Sequence, residues 1–132
     1  MTAAQGAGRA SRILIADDEP NIVTSLEFLM QVSGYEVRVA RDGEEALQLL
    51  DSFRPDLVLL DVMMPLRSGN EVCRAIRNNP ACRSVKVVML SANGGNADIV
   101  QGLELGADAY LTKPFSTKNL VAQVRDLLGE AR

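Results

Sequence analysis

Three aspartates stand at the ends of apolar runs. Asp17 and Asp18 follow Ile13-Leu14-Ile15-Ala16, and Asp61 follows Leu57-Val58-Leu59-Leu60. Ser91 closes a third run, Val85 to Leu90, and Lys113 comes just after a short one at Ala109-Tyr110-Leu111. Carboxylates gathered within a few ångströms repel one another and raise each other's pKa unless a cation compensates. The chain has no histidine, which removes Ser-His-Asp and Cys-His catalysis and any His-ligated metal. Oxygen-only ligands suit a hard ion, which inside a cell means Mg²⁺. A carboxylate flanked by Mg²⁺, an ammonium and a hydroxyl is suited to receive a phosphoryl group, whose equatorial charge those partners neutralise.

Each of these residues also has an ordinary reading. Asp18 could cap a helix opening at Pro20, Ser91 could be a turn residue, and Lys113 a solvated charge. Asp42, Asp51, Asp56, Asp98, Asp108 and Asp126 lie at helix ends or in loops and take that reading. Only Asp17, Asp18 and Asp61 end apolar runs, so their case rests on the elements that carry them.

Those elements alternate. After the strand at Ile13–Ala16, Pro20 opens a helix with Ile22, Leu26, Leu29, Met30 and Ser33 on one face, and Gly34 stops it. Tyr35 to Val39 alternates with period two, and Asp42 caps a helix that ends before Pro55. The Leu57–Leu60 strand leads through Met64-Pro65 to a helix capped by Ser68, with Val72, Cys73 and Ile76 inward. The strand Val85–Leu90 precedes a helix from about Asn96 to Leu105. The short strand at Tyr110 precedes a helix holding Leu120, Val124, Leu127 and Leu128. Strands alternating with helices predict right-handed βαβ units and a parallel sheet covered on both faces. The continuous apolar runs read as central strands, and the alternating and short ones as edges. The expected class is α/β, a five-stranded parallel sheet of order 2-1-3-4-5, doubly wound and flavodoxin-like. Its switch point lies between the first and third strands, beside Asp17, Asp18 and Asp61.

The 132 residues predict one domain over 12–129, preceded by a disordered tail at 1–11 and followed by a short end at 130–132. A net charge of −3 argues against nucleic-acid binding. Cys73 and Cys82 lack CxxC spacing and read as reduced thiols. No apolar run approaches the length of a membrane span and no signal core opens the chain, so a cytoplasmic location is expected.

Four segments carry a family resemblance: ILIADDEP at 13–20, PDLVLLDVMMP at 55–65, VVMLSA at 87–92 and GADAYLTKPF at 106–115. In these the chain resembles the receiver domain of response regulators in two-component signalling. The resemblance implies that Asp61 accepts the phosphoryl group. Asp18, Asp61 and the backbone carbonyl of Met63 would ligate Mg²⁺, with Asp17 acting through water. Lys113 would contact the phosphoryl group, Ser91 would hydrogen-bond it, and Tyr110 would turn inward with Ser91. It also implies a cis Lys113–Pro114 bond, a sensor histidine kinase or phosphotransfer protein as donor, and a downstream protein bound through the helix 4–strand 5–helix 5 face. Neither direct nucleic-acid binding nor membrane attachment is implied. The chain is then a signalling receiver that assists its own phosphotransfer and dephosphorylation, not an enzyme on a separate substrate.

Departures from the family pattern matter too. Ser91 stands where Thr is commoner, and Ser68 replaces a frequent Asp. Met63 and Asn93 occupy two variable positions. Ala109 and Ile99 lack the charges of the winged-helix subfamily, although Arg125 is retained, which favours a heterologous partner over that subfamily's salt-bridged dimer. Gly94-Gly95 after Ser91 would make the loop easy to rearrange. A flavin-binding relative would need a phosphate loop where Asp17-Asp18-Glu19 stand, and a dehalogenase-type phosphatase would need DxD spacing. The remaining alternative is a phosphorylation-independent binding module on the same fold, in which Tyr110 simply covers core.

Overall fold

A computed structural model describes residues 10–92 and 95–130. The segment 1–9, Asn93, Gly94 and the last two residues lie outside the described residues, and with them most of the expected tail and half of the glycine pair. Among the described residues, strands and helices alternate strictly. They are β1 (Arg12–Ala16), α1 (Pro20–Val32), β2 (Glu36–Ala40), α2 (Gly43–Ser52), β3 (Leu57–Asp61), α3 (Gly69–Asn78), β4 (Lys86–Ser91), α4 (Asn96–Glu104), β5 (Ala109–Thr112) and α5 (Thr117–Leu127). The strands pair in parallel in the order β2-β1-β3-β4-β5. This is the expected class and order.

Period-two alternation sorts the central strands onto two cores. Leu14, Ala16, Val58, Leu60, Val87 and Met89 face α2 and α3, meeting Ala46, Leu50, Val72, Cys73 and Ile76. Ile13, Ile15, Leu57, Leu59, Val88 and Leu90 face the other way, toward Leu26 and Met30 of α1 and Leu120 and Val124 of α5. All of β3 is buried, which is why its sequence reads as unbroken apolar residues. Each fully buried Leu or Ile contributes roughly 1.5–3 kcal/mol, so β3, which ends on Asp61, sits in the most strongly held part of the sheet.

Helix starts follow their caps. The Asp42 side chain accepts the Glu45 amide, and Ser68 and Glu71 form a reciprocal capping box. In α1 the buried stripe is Val23, Leu26 and Met30, and the expected Ile22 and Leu29 are only half-buried. That helix is apolar over so much of its surface, with Phe28 and Val32 exposed, that periodicity alone could not orient it. Ser11 accepts the Glu36 amide and donates to Glu130, so residue 11 already belongs to the folded body.

On the α3 side one guanidinium joins several segments. Arg77 donates to the carbonyls of Gly106, Arg83 and Val85 at 2.6–2.8 Å and to Asp108 at 2.8 Å. The same Asp108 oxygen accepts the Val87 amide. Gly106, at φ +111, lies against the Arg77 side chain where a Cβ would collide with it.

Candidate functional site

Asp17 extends β1 beyond its last strand residue, its amide bonding the Ala40 carbonyl of the neighbouring strand. The side chain is fully buried. One carboxylate oxygen accepts the Glu19 amide at 2.9 Å, and the other accepts Lys113 Nζ at 3.0 Å. The cap of α1 is therefore Glu19 without a side-chain bond, and Asp18 is no cap: its carboxylate is exposed and lies with those of Asp17 and Asp61. Ligand oxygens of all three fall within 4.8 Å of one another.

Asp61 ends β3 and is 6% exposed. Burial, and next the charge of Asp17, push its carboxyl up to about 6, against the opposing pull of Lys113 and the Met63 amide. Lys113 feels the converse. Burial lowers its pKa, but the hydrogen bond to Asp17 and the fields of Asp61 and Asp17 outweigh that, and the net shift is upward. Its ammonium lies 3.5 Å from Asp61, farther than from Asp17. Lys113 thus lies between two carboxylates, with Asp17 the closer partner.

Lys113 is aimed by β5. Its amide bonds the Ser91 carbonyl at 2.7 Å, and Lys113–Pro114 is cis. Ser91 ends β4 beside Thr112 and is 1% exposed. Tyr110 pairs in register with Met89 and is half-buried.

The loop after Asp61 is braced in a way the sequence did not announce. The Gly69 amide bonds the Val62 carbonyl at 2.8 Å. A Cβ at Gly69 would overlap the Asp61 carbonyl oxygen and come within 2.8 Å of Val62 Cα. Farther along, Gly43 at the start of α2 donates to Pro65 and packs on the Arg67 backbone, with no room for a side chain. Between these two supports Leu66 holds φ +70 and is 72% exposed. Met63 is exposed as well. In the sequence Gly43 is a helix opener; its contact with Arg67, far along the chain, marks it as part of the site's frame.

An oxygen-only donor set with surplus negative charge fits a hard divalent cation. Asp61 is held toward protonation by burial and by Asp17, a penalty that a cation there would offset. The other strong cluster of interactions, around Arg77, holds one carboxylate, Asp108, already paired with that guanidinium.

The family model described as "Response regulator receiver domain" matches residues 13–125. A protein described as a response regulator from Chloroflexus aurantiacus shares 36% identity at a TM-score of 0.88, over 92% of this chain and 100% of its own. The receiver domain of a signal transduction histidine kinase from Syntrophus aciditrophicus shares 36% at 0.85, over 91% of each chain. Chemotaxis protein CheY4 of Vibrio cholerae shares 30% at 0.84, over 89% of this chain and 98% of its own.

Proposed function

The chain belongs to the response regulator receiver domain family of two-component systems, and on that premise we propose that it receives a phosphoryl group on Asp61 from a phosphohistidine. The single observation that carries this reading is the convergence of Asp17, Asp18, Asp61 and Lys113 at the carboxyl ends of β1, β3 and β5. In the transfer an Asp61 oxygen attacks phosphorus, and the O–P bond forms as the donor's N–P bond breaks. Lys113 needs only to exchange part of its contact with Asp17 to meet the incoming oxygens, because its ammonium already lies between the two carboxylates.

Asp18, Asp61 and the Met63 carbonyl would hold Mg²⁺. Asp17 has both oxygens engaged, by Glu19 and Lys113, which favours a contribution through water. Bound there, the ion would supply charge neutralisation for the transferring group. Ser91 would donate its hydroxyl to the aspartyl phosphate, and Tyr110 would follow it inward. The donor is a sensor histidine kinase or phosphotransfer protein, and the domain assists its own transfer and later hydrolysis.

The α4–β5–α5 face is the proposed output surface. Val100 and Leu103 are exposed on α4, and Ile99 and Ala109 bring no charge to it, which favours a heterologous protein target. No helix among the described residues is long and apolar enough to cross a membrane.

Acetyl phosphate with Mg²⁺ tests the reading directly. Acid-labile, hydroxylamine-sensitive label is expected on the wild type and lost in Asp61→Asn. Label that survives in the variant removes Asp61 as acceptor, and a wild type that takes no label leaves the binding-module alternative.

A further inference from the structure

Helix α4 is attached to the sheet differently from the other four. Helix α1 buries Val23, Leu26 and Met30, α3 buries Val72, Cys73 and Ile76 besides a glycine, and α5 buries Leu120 and Val124. In α4 the one fully buried residue is Gly102, which has no side chain to bury. What meets it comes from the strands. A Cβ at Gly102 would lie 2.8 and 3.1 Å from two ring carbons of Tyr110 and 3.0 Å from the Met89 sulfur. Ring and helix backbone are thus in direct contact over a gap that only glycine leaves open.

We propose that Gly102 is a positioning residue for the switch: it is the socket in which the Tyr110 ring seats, and this seat is what holds α4 against the sheet. Within α4 itself the other holds are slight, since its N-cap Gly95 makes no side-chain bond and Val100 and Leu103 are exposed; just past its end Leu105 packs on the core and Arg77 holds Gly106. Displacement of the ring therefore takes away the principal apolar contact under α4, and the helix must move with it. Met89, the other strand residue at this gap, offers a flexible thioether that adapts to the helix rather than fixing it. The step from ring to helix rests on the receiver reading for its trigger, while the seat itself is a property of the resting protein.

Helix propensity and the seat predict opposite signs for one substitution, which makes the test decisive. Alanine is the better helix former, so if the ring contact were immaterial, Gly102→Ala would slow amide exchange across 96–104 by about fivefold. With the ring seated there, the added methyl must push ring or helix away, and exchange across 96–104 is expected to quicken at least threefold, with α1 and α3 unchanged. On a Tyr110→Ala background the socket is empty, and the same Gly102→Ala change is expected to slow exchange in α4. The same sign in both backgrounds overturns the proposal. Should Gly102→Ala alone fail to fold, recovery in the double variant supports the seat, and failure of both overturns it.

The chain has two tyrosines, so 3-fluorotyrosine labelling gives two ¹⁹F lines, with Tyr35→Phe identifying the other as Tyr110. That line is expected to move in Gly102→Ala. In the wild type, Mg²⁺ with beryllofluoride is expected to shift the Tyr110 line and α4 exchange together. If neither responds, the receiver reading fails while the seat stands or falls on the sign reversal. If the ring line moves and α4 does not, the coupling is refuted.

Discussion

The two sides of the switch point are built to different tolerances. Around Asp61 every β3 residue is buried, Asp17 has no exposed surface, and Gly69 and Gly43 press backbone onto backbone. Around Tyr110, β5 is half-buried or exposed along its length, and α4 rests on a single glycine. The contrast teaches how one small domain can combine chemistry with response. In-line transfer needs atoms held to a fraction of an ångström, whereas a response needs two arrangements separated by only a few kcal/mol. The tightly and the loosely packed parts lie on different strands, with Lys113 and Ser91, joined by a backbone hydrogen bond, between them.

The largest expected effect breaks the comparison at its rigid end. Gly69→Ala sets a methyl against the Asp61 carbonyl with no flexible side chain to yield, and should cost about 3 kcal/mol in urea unfolding together with loss of acetyl-phosphate label. Its counterpart, Gly95→Ala, meets nothing closer than Asp98 at 3.5 Å and should cost under about 1 kcal/mol. Equal costs at the two glycines would erase the distinction between the sides.

Next in size is the electrostatic load on Asp61. The Asp61 carboxyl titrates at about 6 in the folded chain against 3.8 ordinarily, so the native state binds the proton more tightly than the unfolded one. Wild-type stability contributed by this group is therefore full below about pH 4 and is lost as pH rises toward 6. In EDTA at pH 7.5, Asp61→Asn should be on the order of 2–3 kcal/mol more stable than the wild type. The gap should close as pH falls from 6 to 4, and Mg²⁺ should narrow it at neutral pH. A pH-independent gap would show that the site carries no such load. The smallest effect concerns Leu66. Its left-handed φ is unfavourable for a branched side chain with no burial to recover, so Leu66→Gly should gain about 0.5–1 kcal/mol in the same unfolding measurement.

Legibility in the sequence divides along similar lines. Order and direction of the strands could be read because Ile13–Ala16 and Leu57–Leu60 are uninterrupted and end on acids, and because proline and glycine punctuate the helices. Asp17, Asp18, Asp61, Ser91 and Lys113 could be gathered by the rule that parallel sheets place ligands at strand carboxyl ends. What could not be read were choices among near equals and contacts between distant segments. Helix α1 is apolar on several sides, so its spacing points to Ile22 and Leu29, which pack half-buried on the core, and passes over the buried Val23. Nothing near Lys113 tells that Asp17 is the closer of its two carboxylates. Gly43 and Gly102 act through Arg67 and Tyr110, and a glycine's neighbours across space leave no mark in its own surroundings along the chain.

The Arg77 cluster has a mechanical consequence. Its guanidinium rivets Gly106, just past the end of α4, to α3 and the start of β4, while the opposite end begins at an uncapped Gly95. Any motion of the helix is thus a lever's, with its fulcrum at Gly106 and its free arm toward Asn96. At 1.5 Å per residue the arm is about 15 Å long, and a tilt of about 10° carries its tip roughly 2.5 Å. A displacement too small to disturb the sheet at Tyr110 is thereby enlarged where the helix nears the loop that follows Ser91.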